Sequence, residues 1–431
     1  MKNKRILKIG TLLITLAAMM IAASTITTAS DWPMSRNTAG YTGHSTETIN
    51  LPLTEQWHSS APAVEENGAV VANNIAYMCS DAGKLYAFDV NTGAMIPGYP
   101  VNIGFTYGSP AVDLANNKVY ALAGDSLYAF NLNGTTAWTK NVGSIGSNYN
   151  EGPIIDEGYV YILAGGQLQK FNAAGTLQWA TSSGGGSTQP SLMDDDVYVN
   201  TGGQIQKFNK ITGAQITTGG FPITVSSSQS SVTVINEKIF LKANQLYVYN
   251  ATDGTLVWSK PCGGDSTYYD SPAVADGVVY VYGWDAKIYA FDENTGATMT
   301  GFPSITLNTG GRDWNSPAVA GDKIFIGAGT TQKLKVLGAA GSANAGVVLE
   351  EHLCFSMDNQ GFDLCSPVIS NGVVLAMLDG GGLYAFFGSG VNWSGGAIVI
   401  NNGENPTKTS GIVTRGNGAA TKGTIARGPM G

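Results

Sequence analysis

The sequence predicts an all-β protein: an eight-bladed β-propeller of four-stranded antiparallel blades, with the ring closed by an N-terminal strand. Three observations carry this. Charged residues make up only 13% of the 431 residues, while Gly (57 residues) and aromatic side chains (10%) are abundant, a balance poor in straight-chain helix formers and rich in strand and turn residues. A unit of roughly 40 to 45 residues with four strands per period recurs along the chain. The two ends of the repeat array are each incomplete, and the gaps fit one another.

The clearest unit is Ser271 to Gly296. A proline opens a short apolar run, Ala273 to Ala275, and Asp276-Gly277 makes a turn. The β-branched and aromatic run Val278 to Tyr282 follows, then Gly283-Trp284-Asp285, then Ile288 to Phe291. Asn294-Thr295-Gly296 turns the chain into a fourth extended segment. A meander of this size cannot cover both of its faces alone, whereas copies stacked around a ring can.

The start of the unit recurs at Ala61-Pro62, Ser109-Pro110, Gly152-Pro153, Gln189-Pro190, a degenerate Ser230-Ser231, Ser271-Pro272, Ser316-Pro317 and Ser366-Pro367, at spacings of 37 to 50 residues. The third-strand signature keeps step, from Leu85-Tyr86-Ala87-Phe88-Asp89 to Leu383-Tyr384-Ala385-Phe386. Trp138, Trp179 and Trp258 each follow a turn glycine by four residues. Units one, four and six carry Tyr99-Pro100, Phe221-Pro222 and Phe302-Pro303 instead, so an aromatic just downstream is expected to fill the pocket that Trp fills elsewhere. Trp57, Trp138, Trp179 and Trp258 are expected to be structural.

Unit eight runs out after Phe386-Phe387, while Leu53 to Trp57 lies upstream of unit one with no unit of its own. Trp57 and its strand are therefore expected to complete the last blade, leaving no open edge. Residues 1–30, with Lys2, Lys4, Arg5 and Lys8 ahead of the apolar stretch Ile9 to Ala23, read as a secretory signal peptide cleaved before Asp31. No later stretch is long and apolar enough for a transmembrane span. Residues 31–390 form the propeller, and the Gly-, Asn- and Thr-rich residues 391–431 are a flexible extension.

The pattern A-x-D-x-x-T-G-x-x-x-W, preceded by Ser-Pro-Ala-Val and a Val-Tyr-Val strand, resembles the PQQ-like (quinoprotein-type) eight-bladed propeller over residues 31–390. The opening Asp31-Trp32-Pro33-Met34-Ser35-Arg36, with Gly43 soon after, is similar to the N-terminal segment of exported members. That resemblance implies two functions. One is a dehydrogenase holding PQQ and Ca²⁺ in the central channel and oxidising alcohols or sugars. The other is a binding scaffold, like a similar exported lipoprotein that serves in outer-membrane protein assembly. The dehydrogenases' adjacent Cys pair has no counterpart among the four cysteines here, and there is no Cys-x-x-Cys-His haem segment or lipid-bearing Cys at the cleavage point.

No catalytic residues, metal ligands or cofactors are expected. His44, His58 and His352 are scattered, and no His or Cys pair has zinc spacing. Asp89 to Gly93 and Asp292 to Gly296 stop short of a calcium loop's later ligands and read as Asx turns. Between residues 31 and 390 there are 15 basic and 30 acidic side chains, a balance that argues against nucleic acid or anionic lipid as partner. The expected protein is a monomer, secreted or resident in the periplasm or cell envelope, that binds a protein or carbohydrate.

In this fold the loops between consecutive blades share a face with the loops between second and third strands. That face would carry Tyr107, Asn148, Tyr149, Tyr268, Tyr269, Asp270, Trp284, Asp285, Arg312, Asp313 and Trp314, where aromatics beside acids and amides suit a sugar or a protein surface. The same residue types also serve inter-blade packing and loop capping. Cys354 and Cys365, ten residues apart before unit eight, are the expected disulfide in an exported chain, with Cys79 and Cys262 unpaired.

Overall fold

The computed structural model describes residues 30–59, 68–80, 82–106, 108–145, 152–184, 188–264, 270–307, 316–328, 331–354, 365–378 and 382–390. They contain no α-helix and fold as eight small antiparallel sheets in a ring. The inner strand of every blade is three residues long, among them Val70–Ala72 in blade one, Ala273–Ala275 in blade six and Val368–Ser370 in blade eight. The turn that follows needs left-handed backbone: Asn73 and Asn74 have φ of 50° and 60°, and Asp276 has 50°. Asn and Asp tolerate that region better than other side chains, which is why they stand at this corner. In blade six the meander then pairs Val274 with Val279 and Val279 with Phe291.

The second strands of the blades are buried on both faces, as in Val278–Tyr282, where every residue is buried, whereas outer strands such as Thr136–Asn141 are mostly exposed. The core is consequently a circuit of apolar layers between neighbouring sheets. One layer joins blades one and two, another joins two, three and four, and the next joins four and five. Others join five and six, six and seven, and finally seven, eight and one.

The ring closes as the sequence implied. Strand Thr54–His58 pairs antiparallel with Gly382–Phe387, setting Trp57 opposite Ala385. Leu53 N donates to Glu350 of blade seven at 2.9 Å, so the closing strand is also tied sideways.

Outer strands differ between blades. They are regular in blades two, three and five (Thr136–Asn141, Leu177–Ser182, Leu256–Lys260). In blade one only Val101–Asn102 forms an outer strand, and blade four splits it into Gln215–Ile216 and Ile223–Thr224. Blade six, the clearest copy in sequence, has no regular fourth strand. Its outer segment holds on through a Phe291–Thr298 bridge and through Met299 N to Ala290 O and Ser304 N to Ile288 O, both 2.9 Å. These are the three units with an aromatic-proline pair in place of Trp. Proline has no N–H to give the ladder, so the strand is interrupted there.

The seams between blades have two solutions. In the first, an outer-strand Trp lies across the turn glycine of the next blade. A Cβ on Gly175, Gly213 or Gly296 would come within 2.6–2.8 Å of the ring of Trp138, Trp179 or Trp258. Each indole N–H donates to a carbonyl in that same turn: Trp138 to Ala173 at 2.9 Å, Trp179 to Lys210 at 3.3 Å and Trp258 to Glu293 at 3.1 Å. In the second, Tyr99, Phe221 and Phe302 turn into the seam. They pack against Tyr77, Tyr198 and Tyr280 with centroids 5.9, 6.2 and 6.1 Å apart. All three are at most 8% exposed.

Candidate functional site

The central channel carries a feature that the repeat pattern does not encode. Residues 30–45 run inside the ring and bond to its inner strands in turn. Trp32 exchanges two 2.8 Å backbone bonds with Val71, and Pro33 O accepts from Val112 N at 2.8 Å. Ala39, Gly40, Thr42 and Gly43 carbonyls accept from Leu192, Val234, Val274 and Val319 at 2.8 to 3.0 Å. His44–Ser45 then pairs parallel with Ala318–Ala320. Ser370 Oγ of blade eight also donates to Ser30 O at 2.6 Å, so one segment reaches seven of the eight blades from within.

Arg36 rises from this segment to the inner-strand starts of blades six and seven. Its Nη1 donates to Pro317 O at 2.5 Å, and Nη2 donates to Pro272 O at 3.1 Å and Ser271 O at 3.4 Å. Burial pulls its pKa down to about 10, against the pull of Tyr41 and Asp270. Asp270 is not on the surface, as the sequence suggested, but buried in the channel wall. It is 3% exposed and bridged to the equally buried Lys242. Desolvation holds its carboxyl above the usual range, with Lys242 opposing. The sequence reading placed Arg36 only in the opening segment and passed over Lys242, because the contacts that bury them are hundreds and tens of residues away in the chain.

Of the residues expected on the loop face, Trp284 and Asp285 are described as exposed or half-buried. Trp284 and Asp285 lie in the blade-six loop, bracketed by both neighbouring connections: Asp285 N donates to Gly263 O at 3.1 Å, and Leu307 N donates to Ala286 O at 2.7 Å. Trp284 is 41% exposed, and Ile305 in the departing connection is 65% exposed. Asp285 Oδ2 accepts from Tyr289 Oη at 2.8 Å and pairs with Lys287 at 3.1 Å. Tyr107, Asn148, Tyr149, Tyr268, Tyr269, Arg312, Asp313 and Trp314 lie outside the described residues.

The Asp-Asn-Thr-Gly turns are capped by their own carboxylates. Asp292 Oδ1 accepts from Asn294 N, Thr295 N and Thr295 Oγ1 at 3.1, 2.8 and 2.7 Å, and Asp89 repeats the arrangement. Among the described residues no three His, Cys, Asp or Glu side chains gather to hold a metal, and no helix is long and apolar enough to cross a membrane. Cys354 and Cys365, expected to be joined, are both free thiols in the structure, buried in the layer joining blades seven, eight and one. Cys79 and Cys262 are buried in blades one and five.

Fold and repeat together define the class: this is an eight-bladed β-propeller whose repeats resemble the PQQ-like type. A family profile described as outer membrane protein assembly factor BamB matches residues 215–405. BamB from Moraxella catarrhalis is structurally similar, with a TM-score of 0.60, 14% identity, and coverage of 78% of this chain and 100% of that one. Quinohemoprotein alcohol dehydrogenase from Comamonas testosteroni has a TM-score of 0.63 at 15% identity, covering 83% of this chain and 80% of that one. A europium-containing methanol dehydrogenase has a TM-score of 0.58 at 14% identity, covering 80% and 89%. A comparison with curated protein sequences gives no match. At these identities the likeness shows the fold, and the scaffold is common to binding proteins and enzymes alike.

The described channel does not fit PQQ with its metal ion. Its buried carboxylate, Asp270, is already bridged to Lys242. The guanidinium of Arg36 is already bonded to the Pro317 and Pro272 carbonyls.

Proposed function

We propose that this chain is an exported binding or scaffold protein of the cell envelope or exterior, without catalytic activity, and that its loop face takes a protein partner. A carbohydrate is the alternative ligand of the same face. The observation that carries the reading is the interior of the ring, where the chain's own segment and Arg36 stand in the channel and leave recognition to the loops. The exposed Trp284 and Ile305 beside the Asp285–Lys287 pair give those loops a mixed aromatic and charged surface of the kind that dominates binding hot spots. The BamB profile match supports a protein partner at the envelope.

The likeness to two dehydrogenases favours a second reading, a quinoprotein oxidising alcohols or sugars. One experiment separates them. The mature protein is used as bait against envelope and culture-medium fractions, and in parallel is supplied with PQQ and Ca²⁺ and assayed for dye reduction with alcohols and aldoses. A specific, saturable protein partner without turnover supports the scaffold. Reproducible quinone-dependent turnover replaces it with the enzyme.

A further inference from the structure

Among the described residues, one hairpin of the ring departs from the other seven. The turn between the first and second strands of a blade has two residues, such as Asn73-Asn74 in blade one, Glu157-Gly158 in blade three and Asp276-Gly277 in blade six. Blade two has four, Leu114 to Asn117, between Ala111–Asp113 and Lys118–Ala123. Its own acid fixes the longer loop: Asp113 Oδ1 accepts from Asn116 N at 3.0 Å, and Asp113 Oδ2 accepts from Asn116 Nδ2 at 2.7 Å. Asn116 is thereby set against the blade-three turn, where a Cβ on Gly158 would come within 3.0 Å of its Nδ2.

The extended loop walls a surface cavity of about 320 Å³ at the seam between blades two and three, lined also by Glu157, Tyr159 and Asn172. That volume stands at the lower end of the range for small-ligand sites. The cavity lies on the face opposite the inter-blade loops, because the turns after first and third strands share that side. Asn172 ends the third strand, and its Oδ1 accepts from Ala174 N at 3.1 Å and Thr176 N at 2.9 Å. These bonds leave the Asn116 carbonyl oxygen as an acceptor and the Asn172 Nδ2 as a donor for a ligand. Glu157 adds a carboxylate whose side chain is 73% exposed, with Oε2 3.4 Å from Lys210. Tyr159 stands where the other blades have Ile, Val, Lys or Asp. The buried Lys170 fixes its ring: Nζ lies 4.0 Å from the ring centroid and donates to Lys210 O at 3.0 Å.

A metal cation would use acceptors alone, and a simple anion donors alone. A hydroxyl group both gives and accepts a hydrogen bond, and this lining offers both partners beside an aromatic wall. We propose that the cavity is a sugar site that holds one ring of a neutral glycan. Its hydroxyls donate to Glu157 and to Asn116 Oδ1 and accept from Asn172 Nδ2, while Tyr159 gives the apolar contact that the carbon skeleton of the ring needs. The site is separate from the loop face and does not depend on what binds there.

The test uses the full mature chain and the methyl glycosides of glucose, galactose, mannose and N-acetylglucosamine, titrated under saturation-transfer NMR. At least one is expected to bind saturably. Deleting Leu114 and Ala115 leaves Asn116-Asn117 as a two-residue turn like Asn73-Asn74 of blade one, which keeps the hairpin and removes the wall, so binding should be lost. Glu157→Gln, on an exposed side chain, should raise the half-saturation concentration about tenfold, as weakening a hydrogen bond to a charged group does. Glu237→Gln makes the same charge change in the exposed turn of blade five and should leave the titration as it is. The proposal is overturned if no glycoside binds saturably, if binding survives both changes at the cavity, or if Glu237→Gln weakens it as much as Glu157→Gln.

Discussion

Trp57 Nε1 donates to Val90 O at 2.7 Å, across the seam between the last blade and the first. Its ring lies against Gly93, where a Cβ would come within 2.7 Å of the indole. The contact repeats the Trp138–Ala173 and Trp258–Glu293 pairs, but here it is supplied by residues that precede the whole repeat array. Closure of the ring therefore depends on a strand and a wedge contributed from the far end of the chain.

Trp57→Ala is expected to lower stability by about 3 kcal/mol, the cost of truncating a large packed aromatic. Trp258→Ala should cost at least as much, since Trp258 is only 8% exposed. Deleting residues 31–59 removes both the closing strand and the channel segment, and should leave an aggregating chain. Urea denaturation and light scattering report these outcomes, and a stable monomer after the deletion would contradict the closure.

Asp270→Ala should destabilise by about 3–5 kcal/mol, because it strands Lys242 in the channel wall without its partner. Replacing both together, as Lys242→Met with Asp270→Leu, should recover most of that loss. If Asp270→Ala leaves the melting curve unmoved, the buried bridge carries no stability.

Trp284→Ala tests the blade-six sector. The exposed indole should contribute about 2 kcal/mol or more to partner binding while the thermal midpoint stays nearly constant. Trp314→Ala is expected to behave the same way. Lower stability with unchanged binding would make Trp284 a packing residue and move the binding face elsewhere.

Peptide mapping without reduction decides between the Cys354–Cys365 bridge that their spacing in an exported chain suggests and the free thiols of the structure, and should find Cys79 and Cys262 unlinked. Burial pushes the Cys262 thiol up to about 11 despite Lys242, so alkylation of the native protein at neutral pH should be very slow there. A Cys79–Cys262 linkage would be incompatible with their places in blades one and five.

His44 should make stability fall in acid. Burial holds its imidazole below the ordinary 6.5, outweighing the attraction of Asp276. The unfolded chain then takes up a proton that the folded chain refuses, so this contribution is complete above about pH 6.5 and is lost as pH falls toward the folded value. His44→Gln should flatten that part of the profile, and unchanged slopes in paired thermal melts would remove His44 from the account.

The sequence alone determined the blade and the count of blades, because each blade is a local meander whose turns, strands and seam aromatics lie within one period. It also determined closure: an unpartnered strand at one end and a missing strand at the other allow one antiparallel match, and Thr54–His58 makes it. The convergence of Gly263, Trp284 to Ala286 and Leu307 was legible for the same reason, since equivalent loops of a repeat share a face. The channel was not legible. Arg36 meets carbonyls up to 281 residues away, and Asp270, which reads as a loop acid beside Tyr269, is turned inward to Lys242 by the start of its inner strand. Such contacts arise only when eight inner strands are brought around one axis. No local pattern records them, because the physical requirement they meet, pairing charge and polar groups away from bulk solvent, exists only after the ring has formed.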